Sequence, residues 1–241
     1  MQKQIMTGMQ GDTFMMGLAK GLRKTAKTTT ESYVIYGQTD AIFQACASQA
    51  DYTIPEDKRM SILTGKGPPK TADGADLGHA VGKSWWYDTI GLEPTFASWS
   101  QVTYLHMYII VLRLRNLETA EAVRMYQQFL TEHFSNAAED RMVLLHNMSA
   151  RSIRNKYLKD LFLQWRGVIT AYDEGIIKGD AVLGGAIWRN LFRGDENVDW
   201  EKVAQVVAFF RNAVQTFSNQ PIDNIVMSSD GPNGLWARNH S

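Results

Sequence analysis

From Phe96 to Phe217 apolar side chains return every three to four residues, and no run in the chain alternates convincingly in the manner of a strand. That periodicity limits the fold to helices packed on helices. The segment from Phe96 to Arg115 is apolar nearly all round, which marks a central helix enclosed by the others. A second helix is expected from Glu118 to Phe134, with Val123, Tyr126, Phe129 and Leu130 inward, and a short one from Ala138 to His146. Ser149 is placed to cap a long helix reaching Tyr172. Its stripe of Ile153, Tyr157, Leu161, Trp165, Val168 and Tyr172 falls within about 120° on a helical wheel. Asp180 is placed to cap a helix over Ala181–Phe192, with Gly194 as its stop, and Asp199 a last one carrying Trp200, Val203, Val207, Phe210, Val214 and Phe217.

Outside this region the pattern changes. Thr13–Lys27 reads as a short basic amphipathic helix: Phe14, Leu18 and Leu22 recur at a spacing of four among Lys20, Arg23, Lys24 and Lys27, with no acid. Glu31–Gln49 predicts another helix. Thr64–Gly82 holds five glycines and Pro68-Pro69, which predicts a long loop. Ser84–Ile90 predicts a short aromatic helix. Beyond Ser218 periodicity is lost, and the tail is expected to be irregular. The expected architecture is all-α: a basic segment over 1–30, a helical extension with the loop over 31–83, one helical bundle domain over 84–217 and a tail over 218–241.

Composition excludes several chemistries. Lysine plus arginine equals aspartate plus glutamate at 25 each, so any polyanion-binding surface must be local. One cysteine, Cys46, rules out an internal disulfide framework and cysteine-based zinc or haem motifs. The most apolar stretch, Thr103–Leu112, is far too short for a membrane span. Gly78-His-Ala-Val-Gly82-Lys-Ser84 imitates a phosphate loop but has three residues between its glycines where four are needed, and no strand precedes it. The residues three before His106, His133 and His146 are Thr103, Leu130 and Val143, so the Glu-x-x-His pairs of a carboxylate-bridged metal site are missing. His106 reads as a hydrogen-bonded core residue, and His133 and His146 as surface or helix-end residues. No catalytic set emerges, and no cofactor is expected.

Four segments carry a family resemblance. They are Thr95-Phe-Ala-Ser-Trp-Ser-Gln-Val-Thr-Tyr-Leu-His-Met-Tyr108 with Arg113-Leu-Arg115, then Tyr157-Leu-Lys-Asp160, then Arg166-Gly-Val-Ile-Thr-Ala-Tyr-Asp-Glu-Gly175, and Ala186-Ile-Trp-Arg-Asn-Leu-Phe192. In order and spacing they resemble the ubiquinol–cytochrome c chaperone family, most strongly from Trp85 to Phe217. The resemblance implies a non-enzymatic assembly factor of mitochondrial respiratory complex III. Such a protein would act at the matrix face of the inner membrane as a peripheral protein. Its implied partners are a small helical assembly factor, newly made cytochrome b and the mitochondrial ribosome near its tunnel exit. The basic, acid-poor N-terminus also resembles a matrix-targeting segment. A helical carrier or enzyme holding a quinone-like or haem-like ligand inside the bundle is the competing reading.

The family-matched charges Arg113, Asp173, Glu174 and Arg189 are expected to form an ionic clasp, since an arginine on the central helix needs a partner. Trp85, Trp86 and Tyr87 cannot all be buried equally on one short helix, so they are candidate partner or client contacts or a lid on the bundle end. Arg154, near the start of the long helix, is a candidate interface ion-pair residue. Lys20, Arg23, Lys24 and Lys27 are candidate membrane contacts.

Overall fold

A computed structural model describes residues 31–62, 67–229 and 236. The basic segment over 13–27, with Lys20, Arg23, Lys24 and Lys27, lies outside the described residues. The fold is all-α. Helix α1 covers 31–47 and runs into a 3-10 turn, Ser48–Ala50. Then come β1 (Tyr52–Thr53), α2 (Glu56–Ser61), β2 (His79–Ala80) and α3 (Trp85–Asp88). The main helices are α4 (Phe96–Leu114), α5 (Ala120–Leu144), α6 (Arg151–Lys178), α7 (Asp180–Asn190), α8 (Trp200–Ser218) and α9 (Ile222–Ser229).

Helix α4 is the axis. Trp99, Val102, Tyr104, Leu105, Met107, Tyr108, Ile109, Ile110, Val111 and Leu114 are all buried and point in every direction around it. Such a helix must be covered on all sides. Helices α5, α6 and α8 pack directly on α4, and α7 fills the angle between α6 and α8. Polar residues on α4 are absorbed locally: Ser100 and Thr103 donate to the carbonyls of Phe96 and Trp99. At its start the Thr95 hydroxyl accepts from the Ser98 amide at 3.2 Å, an N-cap repeated by Thr119 for α5 and Asp199 for α8.

Several boundaries differ from expectation. Helix α5 runs unbroken through 135–137, where two helices were expected. Ser135 donates its hydroxyl to the Thr131 carbonyl inside the helix, and neither proline nor glycine interrupts the turn. Ser149 does not cap α6, which has Ala150 at that position without a side-chain bond. Helix α6 also continues past Tyr172 to Lys178 and ends at Gly179 (φ +102°), so Asp180 is the first residue of α7 and not its cap. The glycine-rich stretch contributes β2, paired antiparallel with β1 in the register Tyr52↔Ala80 and Thr53↔His79. A Cβ on Gly78 would lie 2.7 Å from the Thr53 carbonyl oxygen, so this glycine serves close backbone packing and not a phosphate. The tail beyond Ser218, expected to be irregular, carries α9, which buries Ile222 and Ile225.

Trp236 is also fully buried. Its ring lies 4.4 Å from that of His106 and 5.0 Å from that of Phe217. It completes an aromatic cluster with Trp86 and Phe209.

Two substitutions test this packing. Gly175 sits where α6 and α7 approach, and a Cβ there would lie 2.7 Å from the Leu183 Cα. Gly175→Ala is expected to destabilise the protein by about 1–3 kcal/mol in urea unfolding, because backbone must shift. At Gly184 a Cβ would meet Val203 and Val207 at an ordinary 3.7 Å. Gly184→Ala is expected to be neutral or to stabilise by up to about 1 kcal/mol. Trp236→Ala should cost about 3–5 kcal/mol in the same measurement.

Candidate functional site

The charged clasp exists, but with a different arginine. The Asp173 carboxylate on α6 accepts from Arg115 Nη1 at 2.6 Å and Nη2 at 3.0 Å, and from the Tyr108 hydroxyl at 2.6 Å. The Arg115 guanidinium also lies 5.8 Å from the Tyr108 ring centre. Tyr108 and Arg115 are seven residues apart and share one side of the chain, and that side faces α6. Burial opposes ionisation of Asp173, yet the hydrogen bonds from Arg115 and Tyr108 hold its carboxyl below the usual carboxylate range.

Arg113, two residues away from Arg115, points elsewhere. It shares the side of Trp99 and His106, as expected, and for that reason it cannot reach Asp173. Its Nε donates to the Gln220 carbonyl at 2.6 Å, tying α4 to the turn between α8 and α9. Nη1 of Arg113 is buried without a hydrogen-bond acceptor among the described residues. Glu174 pairs with Lys178 one turn on, at 2.6 Å on the helix surface. Arg189 is exposed and forms no ion pair among the described residues; its charge only helps lower the Glu174 carboxyl, behind the larger effect of Lys178. The four expected charges are thus distributed over three separate interactions, and the decisive residue, Arg115, was the one passed over.

The aromatic triplet divides by burial. Trp86 is fully enclosed, edge-on to His106 and Phe209. Trp85 is half-buried and rests on Phe209 at 5.6 Å. Tyr87 donates its hydroxyl to the Ala50 carbonyl at 2.5 Å. Together they close the end of the bundle and hold the 3-10 turn against it. Arg154 is likewise internal: Nε donates to Glu139 at 2.9 Å and Nη1 to the carbonyls of Met148 and Ser149, locking the turn between α5 and α6.

The histidines agree with expectation at His106 and at His146, which follows the end of α5, and differ at His133. His106 is a core residue, with Nδ1 donating to the Val102 carbonyl at 2.8 Å. His133, expected at the surface, is buried against α1, 3.1 Å from the Thr39 hydroxyl. His146 sits in a polar chain: its Nδ1 donates to Asp76 at 2.8 Å, and its Nε2 shares a 2.7 Å hydrogen bond with the Tyr52 hydroxyl. Lys70 pairs with the same Asp76, and Arg141 with Asp51 at 2.7 Å. Burial pushes the Tyr52 hydroxyl up, the opposite of what an activated nucleophile at that position would need. The role of this polar chain is to fasten the loop region to the end of α5. Among the described residues no three metal-ligating side chains come together. The crevice between Tyr104, Phe134, Leu161 and Trp165 has a volume of about 10 Å³, room for about one water.

The surface offers more. Ile153, Tyr157, Phe162 and Leu163 on α6 are each about half exposed, although Ile153 and Tyr157 continue the stripe that is buried from Leu161 onward. An open groove between α7 and α8 is lined by Ala181, Gly184, Gly185, Ala204 and Ala208, with Trp200 on its rim.

The sequence pattern of the ubiquinol–cytochrome C chaperone family matches residues 88–229, from the end of α3 through α9. The chain belongs to this family. It is similar to "Protein CBP3, mitochondrial" of Saccharomyces cerevisiae, 35% identical over 134 residues, which is 56% of this chain and 40% of that protein. It is also similar to "Ubiquinol-cytochrome c reductase complex assembly factor 1" of Drosophila melanogaster, 28% identical over 60% of this chain and 55% of that one. The corresponding Xenopus laevis protein is 23% identical over 60% of this chain and 70% of its own length. The match thus spans about two fifths to a little over two thirds of these relatives. No solved structure matches the chain. Within the family-matched region lie both ends of the Arg115–Asp173 clasp, the whole of α6 and the groove.

The clasp makes a pH prediction. Asp173 has a lower pKa folded than unfolded, so its ionised form contributes stability above the ordinary carboxylate range. That contribution is lost as pH falls from about 4 through the folded-state value. The melting temperature of Asp173→Asn should therefore lie below that of the parent at pH 7, and the gap should narrow as pH is lowered below about 4. A gap independent of pH would mean that Asp173 acts by shape and not by charge.

Proposed function

We propose that this protein is an assembly chaperone for respiratory complex III. In this reading it binds newly made cytochrome b together with a small helical partner, close to the tunnel exit of the mitochondrial ribosome. It works at the matrix face of the inner membrane as a peripheral protein. The observation that carries the proposal is the family match over 88–229, together with two relatives named as assembly factor 1 of the ubiquinol-cytochrome c reductase complex. Among the described residues no helix is long and apolar enough to cross a membrane, in keeping with peripheral attachment.

The physical chemistry supports action by binding rather than turnover. The residues of the matched region that the sequence singled out are spent on core packing and paired charges. A client as apolar as cytochrome b needs contact with apolar surface, and the exposed side chains of α6 and the α7–α8 groove supply it. The competing reading, a quinone or haem carried inside the bundle, requires a cavity of several hundred cubic ångströms. The crevice between α4, α5 and α6 is far below that.

Deletion of the gene is the direct test. Cells without the protein should lose mature complex III and fail to accumulate cytochrome b, with other respiratory complexes less affected. Affinity capture of the full chain from mitochondria should recover cytochrome b, a small helical protein and ribosomal components. Normal complex III in the deletion cells would overturn the proposal.

A further inference from the structure

The groove between α7 and α8 has a volume of about 440 Å³. Gly184, Val203 and Val207 form its floor, Ala181 and Gly185 the α7 wall, and Ala204 and Ala208 the α8 wall. A Cβ on Gly185 would meet nothing within 4 Å, so the slot is open beside it. Both ends are marked. At one, Arg211 donates from Nε to Asp180 at 2.8 Å and from Nη2 to the Gly175 carbonyl at 3.2 Å, so the two charges that line the groove neutralise each other. At the other, Trp200 is 58% exposed, with its ring 5.8 Å from that of Trp188. From Trp200 to Arg211 the slot runs about 16 Å, or three helical turns, at ~1.5 Å per residue. Between these ends the walls carry nothing larger than a methyl group.

That shape selects its occupant. Walls so low let a helix settle until it touches apolar surface beneath it and on both shoulders. An amphipathic helix has an apolar stripe of only about 100°, so its polar shoulders would be pressed against alanine and glycine with nothing to bond them. A membrane-spanning helix is apolar all round and packs closely on small residues. Nucleic acid or anionic lipid would find a concave apolar slot with no unpaired base lining it.

The Trp200 end is acidic. Over 189–202, Asp195, Glu196, Asp199 and Glu201 stand against Arg189, Arg193 and Lys202. Arg193 is paired with Asp73, and Lys202 lies on the far side of α8, its Nζ 2.9 Å from where a Cβ on Gly91 would be. Asp195 and Asp199 accept from the amides of Asn197 and Glu201, while Glu196 and Glu201 are exposed and enter no ion pair among the described residues. Membrane spans are commonly flanked by lysine and arginine on the side from which they insert. An apolar slot with an acidic mouth complements such a segment.

We propose that the α7–α8 groove cradles one half of a newly made membrane span of the client, with its apolar turns on Gly184, Val203 and Val207 and its basic flank beside Trp200, Glu196 and Glu201. The inference rests on the reading of a membrane-protein chaperone and deepens it by naming the segment held and its orientation. The groove covers about half of the ~30 Å that a span crosses.

Binding of a model span by the full chain tests it. The probe is a synthetic helix of about twenty leucines and alanines ending in lysines, held in mild detergent. The parent should bind it, and should bind the same span ending in glutamates more weakly, the difference shrinking as salt is raised. Gly185→Leu with Ala204→Leu fills the slot and should abolish binding, with the helical signal and melting temperature of the parent, since both positions face open space. Ala208→Asn, which sets a polar group in the wall, should lose binding as well. Glu196→Gln with Glu201→Gln should weaken the lysine-ended span by up to about fivefold per charge and leave a glutamine-ended span unchanged. A parent that prefers an amphipathic helix of equal length, or slot-filled variants that still bind the span, would overturn the proposal. So would a photo-crosslinker in place of Ala204 that captures lipid, a second copy or residues 1–30 of this chain in mitochondria, and no membrane-span sequence. The peptide assay is independent of complex III. Span binding in the face of normal complex III in deletion cells would remove the function and leave this inference, whereas slot-filled variants that restore complex III would remove the inference and leave the function.

Discussion

Everything in this fold depends on the burial of α4. A helix with Trp99, Tyr104, Leu105, Tyr108 and Ile109 facing different directions has no side it can give to water. Its neighbours are fixed by that demand. Helices α5, α6 and α8 surround it, α3 and the 3-10 turn close one end, and the Trp99 indole reaches out to the Ala47 carbonyl at 3.1 Å to fasten α1. Each tyrosine and tryptophan on α4 thus performs two tasks. The ring fills space, and the polar tip names the element that must sit there: Tyr104 donates to the Leu161 carbonyl, Tyr108 to Asp173. A core of plain aliphatic residues would leave the arrangement of the outer helices far less determined.

Much of this was legible in the residues themselves. The enclosure of α4, the cap at Asp199 and the buried stripe of α8 follow from local chemistry. What was not legible depended on angles between distant residues. Arg113 and Arg115 are equivalent in composition and separated by one residue, but that step turns the helix by about 200° and decides which of them meets Asp173. Family matching pointed to the right carboxylate and the wrong arginine; the seven-residue spacing from Tyr108 to Arg115 was the signal that could have found it. His133 was misplaced for a related reason. Its burial comes from α1, which no periodicity in α5 reveals. The α6 stripe shows the opposite failure. Its apolar rhythm is continuous from Ile153 to Tyr172, yet the bundle covers only the later part, and nothing in the pattern itself marks where cover ends.

The functional picture follows from that division of labour. The interior is used up by aromatic packing, and the charged pairs hold helices together. What remains for a client, a partner or a membrane is the outside. There the bundle leaves two features open, the exposed apolar side chains at the start of α6 and the small-residue groove between α7 and α8. They lie on different helices, which leaves room for more than one contact at once, as the proposed assembly role demands.

Cys46 gives the fold a built-in reporter. It is the chain's single thiol, and it lies completely buried on α1, where burial pushes its ionisation upward. A maleimide or disulfide reagent can reach it only when α1 lifts from α4 and α5. Its labelling rate would therefore time the opening of that one seam, residue by residue silent elsewhere, and would tell whether grasping a client loosens the N-terminal helix or leaves it closed.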